Sequence, residues 1–160
     1  MKHTRADRGF TLIELVVTVA IVGVLASVAL PMAELAVQRT REQELHHALR
    51  EIREALDAYK YAVDHGRIAS ASDASGYPPR LELLADGVPD ASSLGGATIR
   101  FLRRLPRDPM HPDPTAPPAE TWGKRSYASD PDRPREGEDV FDVYSLSDRR
   151  AINGSWYREW

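Results

Sequence analysis

The stretch Arg8-Gly9-Phe10-Thr11-Leu12-Ile13-Glu14-Leu15-Val16-Val17, "RGFTLIELVV", opens an apolar run that continues to Leu30. In the 21 residues from Phe10 to Leu30, Glu14 is the sole ionisable side chain. As an α-helix the run would be roughly 31 Å long, about the thickness of a bilayer's hydrocarbon core. It follows "MKHTRADRG", in which Lys2, Arg5 and Arg8 face the single acid Asp7. Basic residues before such a segment are retained on the cytoplasmic side, so the expected orientation is N-in, C-out, with everything after Leu30 across the membrane.

A cleaved signal peptide has an apolar core of roughly 7 to 15 residues and a small-residue cut site; this run is longer, although Ala26 to Ala29 offers small residues. A plain signal anchor matches the length but leaves Glu14 unexplained. A carboxylate alone at mid-membrane costs about 2.5 to 3.5 kcal/mol, less near an end. It is tolerated when an opposite charge neutralises it or when it stays protonated.

Gly9-Phe10-Thr11-Leu12-Ile13-Glu14, behind a short basic leader and ahead of an unbroken apolar run, resembles the processing site of type IV prepilins and type II secretion pseudopilins. The resemblance implies that a membrane-embedded prepilin peptidase cuts between Gly9 and Phe10 and that the new amino terminus of Phe10 is methylated. Glycine suits a scissile position because it lets another backbone approach closely. The resemblance also supplies a partner for Glu14: the amine of a neighbouring subunit, paired as helices stack into a filament. Further implied partners are identical subunits and minor pseudopilins, an inner-membrane platform with a cytoplasmic ATPase, and an outer-membrane secretin. The implied location is the bacterial inner membrane, single-pass, with a periplasmic C-terminal region and a periplasmic pseudopilus after assembly.

Past Leu30 the chain changes character. Eleven of its 12 prolines lie at or beyond Pro78, the exception being Pro31, where the missing N–H predicts a kink or local melting; Gly23 is a second soft point. Leu45, Leu49, Ile52, Leu56, Tyr59 and Val63 recur by fours and threes, predicting one amphipathic helix that extends the apolar run to about His65, with Gly66 as its stop. Its other face carries the candidate pairs Arg50 with Glu54 and Arg53 with Asp57, read as solvated. "YPPRLELLADGV", residues 77 to 88, predicts a short helix starting at its prolines, and residues 106 to 122 are too proline-rich for regular structure. "KRSYAS", "DVFDVYSL" and "SWYREW" read as short strands, with Asn153-Gly154 as a tight turn.

The expected fold class is therefore α+β and pilin-like: a long N-terminal helix, transmembrane in its first half and amphipathic in its second, packed against a small antiparallel sheet. The divisions are a leader over 1–9, a transmembrane and assembly helix over 10–30, an amphipathic half over 31–65 and a globular region over 66–160.

The C-terminal part resembles the major, G-type pseudopilins. The matching residues are Leu105-Pro106-Arg107-Asp108-Pro109, then Trp122-Gly123 and Tyr127, then Asp142-Val143-Tyr144-Ser145-Leu146, and Trp160. Two departures stand out. "MHPDPTAPPAET" separates the proline turn from Trp122-Gly123, and the acidic, glycine-rich calcium loop that follows Ser-Leu in typical members is here "SDRRAINGSWYREW". Calcium takes about six to eight oxygen ligands, and Asp148 is followed by Arg149 and Arg150. The carbonyl of Leu146 and the carboxylate of Asp148 are the candidates carried over, with Arg149 or Arg150 as stand-ins for the ion. The absence of cysteine removes the C-terminal disulfide of many type IV pilins and favours the pseudopilin branch.

Competing chemistry is sparse. His47 with Glu51 has metal-ligand spacing but sits on the solvated helix face. Asp108, His111 and Asp113 bring three ligand types to one loop, where the interleaved prolines read as a rigid surface insertion. No phosphate loop or serine-nucleophile motif is present, so no enzymatic role and no catalytic cofactor are expected. Net charge is -3, which gives no general attraction to nucleic acid. Trp122, Trp156 and Trp160 read as core or filament-contact aromatics. Two rival functions remain: a surface type IV pilin for adhesion, motility or DNA uptake, and a membrane-anchored periplasmic binding domain.

Overall fold

The structure, a computed structural model, describes residues 10–71, 74–93 and 95–160. The leader and Gly9 lie outside the described residues. The chain divides into one unit up to Arg39 and another over Thr40–Trp160.

Helix α1, Leu12–Asp64, belongs to both units and remains helical through Gly23 and Pro31, so the melting expected at the proline does not occur. Up to Val37 it presents large apolar side chains on all sides, Leu12 being 81 % exposed and Leu30 68 %. This part is long and apolar enough to cross a membrane. From Leu45 onward the same helix is amphipathic: Leu45, Leu49, Ile52, Leu56 and Tyr59 are buried, as their spacing predicts, and Val63 is partly so. Gly66 ends α1 at a φ of 69°. Its N–H donates to the carbonyl of Val63 at 2.9 Å and the Arg67 N–H to that of Ala62 at 2.8 Å. That pair of bonds is a Schellman motif, which satisfies carbonyls the helix would otherwise orphan.

The Thr40–Trp160 unit builds on the buried face of α1. Helix α2, Leu83–Asp86, starts after Pro78 and Pro79 and not at them. Strands β1, Val88–Pro89, and β2, Thr98–Ile99, form an antiparallel pair beyond the strands expected from sequence. Gly87 leads into it at a φ of 91°, and a Cβ there would meet Thr98 Cγ2 at 2.5 Å and the Ile99 carbonyl oxygen at 2.9 Å. Residues this short carry little pattern. The pairing is imposed by packing, with the Phe101 and Leu102 N–H groups both donating to the Leu84 carbonyl.

The second pair is β3, Trp122–Arg125, with β4, Asp142–Ser145, in the register Trp122 to Ser145 and Gly123 to Tyr144. The expected strands are corrected in extent. Regular pairing starts two residues before Lys124 and stops at Arg125, because the Ser126 N–H turns to the Arg135 carbonyl and the Tyr127 N–H to the Asp139 carboxylate. "SWYREW" is not a strand: it makes one bridge, Arg150 to Trp156, then a 3-10 turn over Tyr157–Glu159. The tight turn at Asn153-Gly154 is present, with Gly154 at a φ of 88°. Residues 106–121 are irregular apart from a 3-10 turn at Pro118–Glu120.

One cluster joins these elements: the α1 face, Leu81, Leu84, Trp122, Val143 and Tyr157. Ile52 is fully buried in it. Ile52→Ala is expected to cost about 2 to 5 kcal/mol, read as a lower urea midpoint with an unchanged slope.

Candidate functional site

The N-terminal site is assembled from one helical turn. Thr11 precedes α1 and its Oγ1 accepts the N–H of Glu14 at 3.3 Å, while its carbonyl accepts the N–H of Leu15 at 3.2 Å. Thr11 is thus the N-cap and Glu14 the third helical residue, the Thr-x-x-Glu spacing of a capping box. The signal for this cap is present in the sequence itself, as Thr11 three residues before Glu14 at the start of the apolar run. A carboxylate in the first turn also meets the positive end of the helix dipole. Phe10, 82 % exposed, lies just ahead of the helix.

In the globular unit, the two motifs separated by the proline-rich insertion come together. The Trp122 indole N–H donates to the Pro106 carbonyl at 2.9 Å, and the Asp108 N–H donates to Thr121 Oγ1 at 3.1 Å. The buried Asp108 carboxylate accepts the Ser145 hydroxyl at 2.6 Å and the Met110 N–H at 2.7 Å. Asp108 is therefore the bolt between the proline turn and the end of β4. The insertion closes over Arg107, whose guanidinium donates to the carbonyls of Asp113 and Ala116. His111 and Asp113 do not join Asp108 in a metal site: the Asp113 carboxylate accepts the N–H and hydroxyl of Thr115. Among the described residues no group of three or more His, Asp or Glu gathers to hold an ion.

The charged face of α1 also departs from expectation. Arg53 does not pair with Asp57; its Nε donates to Asp142 at 2.8 Å, and one Nη donates to the Val143 carbonyl at 3.2 Å and to the main-chain oxygen of Trp160 at 2.7 Å. No Arg50–Glu54 bridge forms among the described residues, while Lys60 and Asp64 do pair. Glu42 accepts the Ile152 N–H at 2.9 Å and the Tyr157 hydroxyl at 2.8 Å. His46 stacks on the Trp160 ring at 4.0 Å with planes 7° apart. These contacts across 89 to 115 residues of sequence left no periodic signal.

The residues carried over for calcium lie apart from any carboxylate cluster. Asp148 is 92 % exposed and its ion-pair partner is Arg158 at 4.0 Å. Leu146 is half exposed in the turn out of β4.

Comparison with known proteins places these features in context. Residues 4–30 match the family described as the prokaryotic N-terminal methylation motif. The chain is 34 % identical over 110 residues to type II secretion system core protein G of Klebsiella pneumoniae, covering 67 % of this chain and 71 % of that one. It is 28 % identical over 156 residues to the protein of the same name from Escherichia coli (strain K12), covering 94 % and 99 %. No solved structure matches.

Burial holds the Asp108 carboxyl above the ordinary carboxylate range, against the pull of Ser145, the Met110 N–H, His111 and the Leu146 N–H. Such a group takes up its proton earlier in the folded chain than in the unfolded one. Stability at this site therefore falls as pH rises from the unfolded value through the folded one. Asp108→Asn removes the titration. Wild-type stability measured against that variant is expected to grow as pH falls from neutrality toward 3.8, the unfolded value, and to level off below it.

Proposed function

We propose that this chain, which belongs to the type II secretion system core protein G family, is a structural pseudopilin whose Gly9–Phe10 bond is cut by a prepilin peptidase. The new Phe10 amine is methylated. The mature subunit sits in the inner membrane through the first half of α1, with Thr40–Trp160 in the periplasm. From there it polymerises with identical subunits and minor pseudopilins into a periplasmic pseudopilus. An inner-membrane platform with its cytoplasmic ATPase drives assembly toward an outer-membrane secretin, and folded proteins leave through it.

The single observation that carries the reading is the first part of α1: a helix exposed and apolar on every side, bearing one carboxylate in its first turn, within a matched N-terminal methylation motif. A bilayer stabilises such a surface before assembly, and neighbouring copies of the same helix stabilise it afterwards. Glu14 is costly in either apolar setting unless paired, and cleavage creates its partner on Phe10. Asp108, Thr121 and Ser145, buried polar groups of the globular unit, are engaged in structural contacts, and the relatives are named as core proteins of a secretion system; both support a non-enzymatic role.

Mass spectrometry of the membrane-extracted chain is expected to show an N-terminus at Phe10 carrying one methyl group; an intact Met1 terminus refutes processing. Glu14→Val is expected to leave cleavage intact and to abolish filament recovery. Deletion of the gene is expected to trap exoproteins in the periplasm, whereas lost surface fibres with normal secretion would point to a pilin.

A further inference from the structure

The stretch from Ser147 to Trp160 occupies the position of the calcium loop that the G-type resemblance implies, and its donor set does not fit that ion. Calcium takes about six to eight oxygens. Asp148 offers one exposed carboxylate, and the charge facing it is the Arg158 guanidinium. Three of the loop's main-chain oxygens already accept internal bonds: Arg149 from the Tyr157 N–H, Ala151 from the Gly154 N–H, and Gly154 from the Arg150 guanidinium at 3.1 Å. A divalent cation placed on Asp148 would face the Arg158 guanidinium, 4.0 Å from that carboxylate, where like charges repel.

Something else does the work of closing the loop. The Arg150 guanidinium lies 4.1 Å from the centre of the Trp156 ring, and Arg158 lies 5.1 Å from the same centre. Both distances are within the range in which the ring's negative face attracts a cation. The Ala151 N–H donates to the Ser155 carbonyl at 2.9 Å across the Asn153-Gly154 turn. Glu42 on α1 then fastens the loop from below through the Ile152 N–H and the Tyr157 hydroxyl.

We propose that in this chain the C-terminal hairpin is held by arginine stacking on Trp156 and by the Glu42 latch, and that calcium neither binds nor stabilises it. The arrangement supplies permanent positive charge from the chain itself where a metal loop would borrow it from a bound ion. The inference concerns the globular unit and holds whether or not the filament reading does.

The test uses the full chain purified in detergent. Thermal unfolding is followed by circular dichroism in chelator and in about 10 mM calcium, enough to fill a site with the roughly 0.1 to 1 mM dissociation constant of extracellular modules. The expected midpoints are the same in both, and tryptophan fluorescence does not titrate with calcium. Arg150→Ala is expected to lower the midpoint by roughly 2 to 6 °C in both buffers. A midpoint raised by calcium, or a saturable fluorescence change, overturns the proposal, as does an Arg150→Ala variant as stable as the parent. Should that variant not fold, Arg150→Lys keeps a cation over the ring and is expected to give a smaller drop, while the calcium titration of the unmodified chain decides the metal question by itself.

Discussion

The buried stripe on the second half of α1 is the constraint on which the Thr40–Trp160 unit rests. Among the described residues the strands of that unit are two and four residues long, in two separate two-stranded sheets. Isolated hairpins of such size are marginal in water and need an apolar face to pack on. Leu45, Leu49, Ile52 and Leu56 supply it, each almost wholly withdrawn from solvent. Burial of one such side chain is worth about 1.5 to 3 kcal/mol, more than any single hydrogen bond in the short ladders contributes.

Polar contacts then orient what the stripe attracts. Arg53 holds Asp142, the Val143 carbonyl and the Trp160 oxygen with one planar fork, a geometry that lysine does not offer. About three turns earlier on α1, the Glu42 carboxylate positions the C-terminal hairpin by accepting two hydrogen bonds. Asp108 fastens the proline turn to β4 at the cost of burying a carboxylate, tolerable because hydroxyl and amide donors meet it. Each contact adds modest stability and much specificity of position. The close pairing of Gly123 with the Tyr144 ring belongs with them: a Cβ on Gly123 would lie 2.3 Å from that ring, so the glycine of the Trp-Gly motif is there to make room.

The first part of α1 follows a different logic although the same helix continues. Its apolar residues have no preferred side, since Val16, Val19, Val22 and Leu25 are exposed alike. A helix apolar all round belongs in lipid or among other helices. This part, the Gly66 stop, the buried α1 stripe and the Asn153-Gly154 turn were all legible, because each depends on residues within a few positions of one another. The strand limits, the β1–β2 pair and the fate of "SWYREW" were not. Segments of two to six residues have too few side chains for a period to emerge, and their hydrogen bonds are decided by distant carbonyls and carboxylates.

What the sequence by itself determined is the long helix with its change of character, the place of Glu14 in its first turn, the α+β class and the family. Length, periodicity and a compact junction motif are local properties, and the physics that reads them is local too. Only the tertiary structure decided that Arg53 faces Asp142 and not Asp57, that Glu42 latches a hairpin 110 residues away, and that Asp108 bolts the proline turn to β4 through Ser145. A long charged side chain on a helix can reach a neighbour one turn along or an element folded onto it. Which of these it meets depends on where the chain returns.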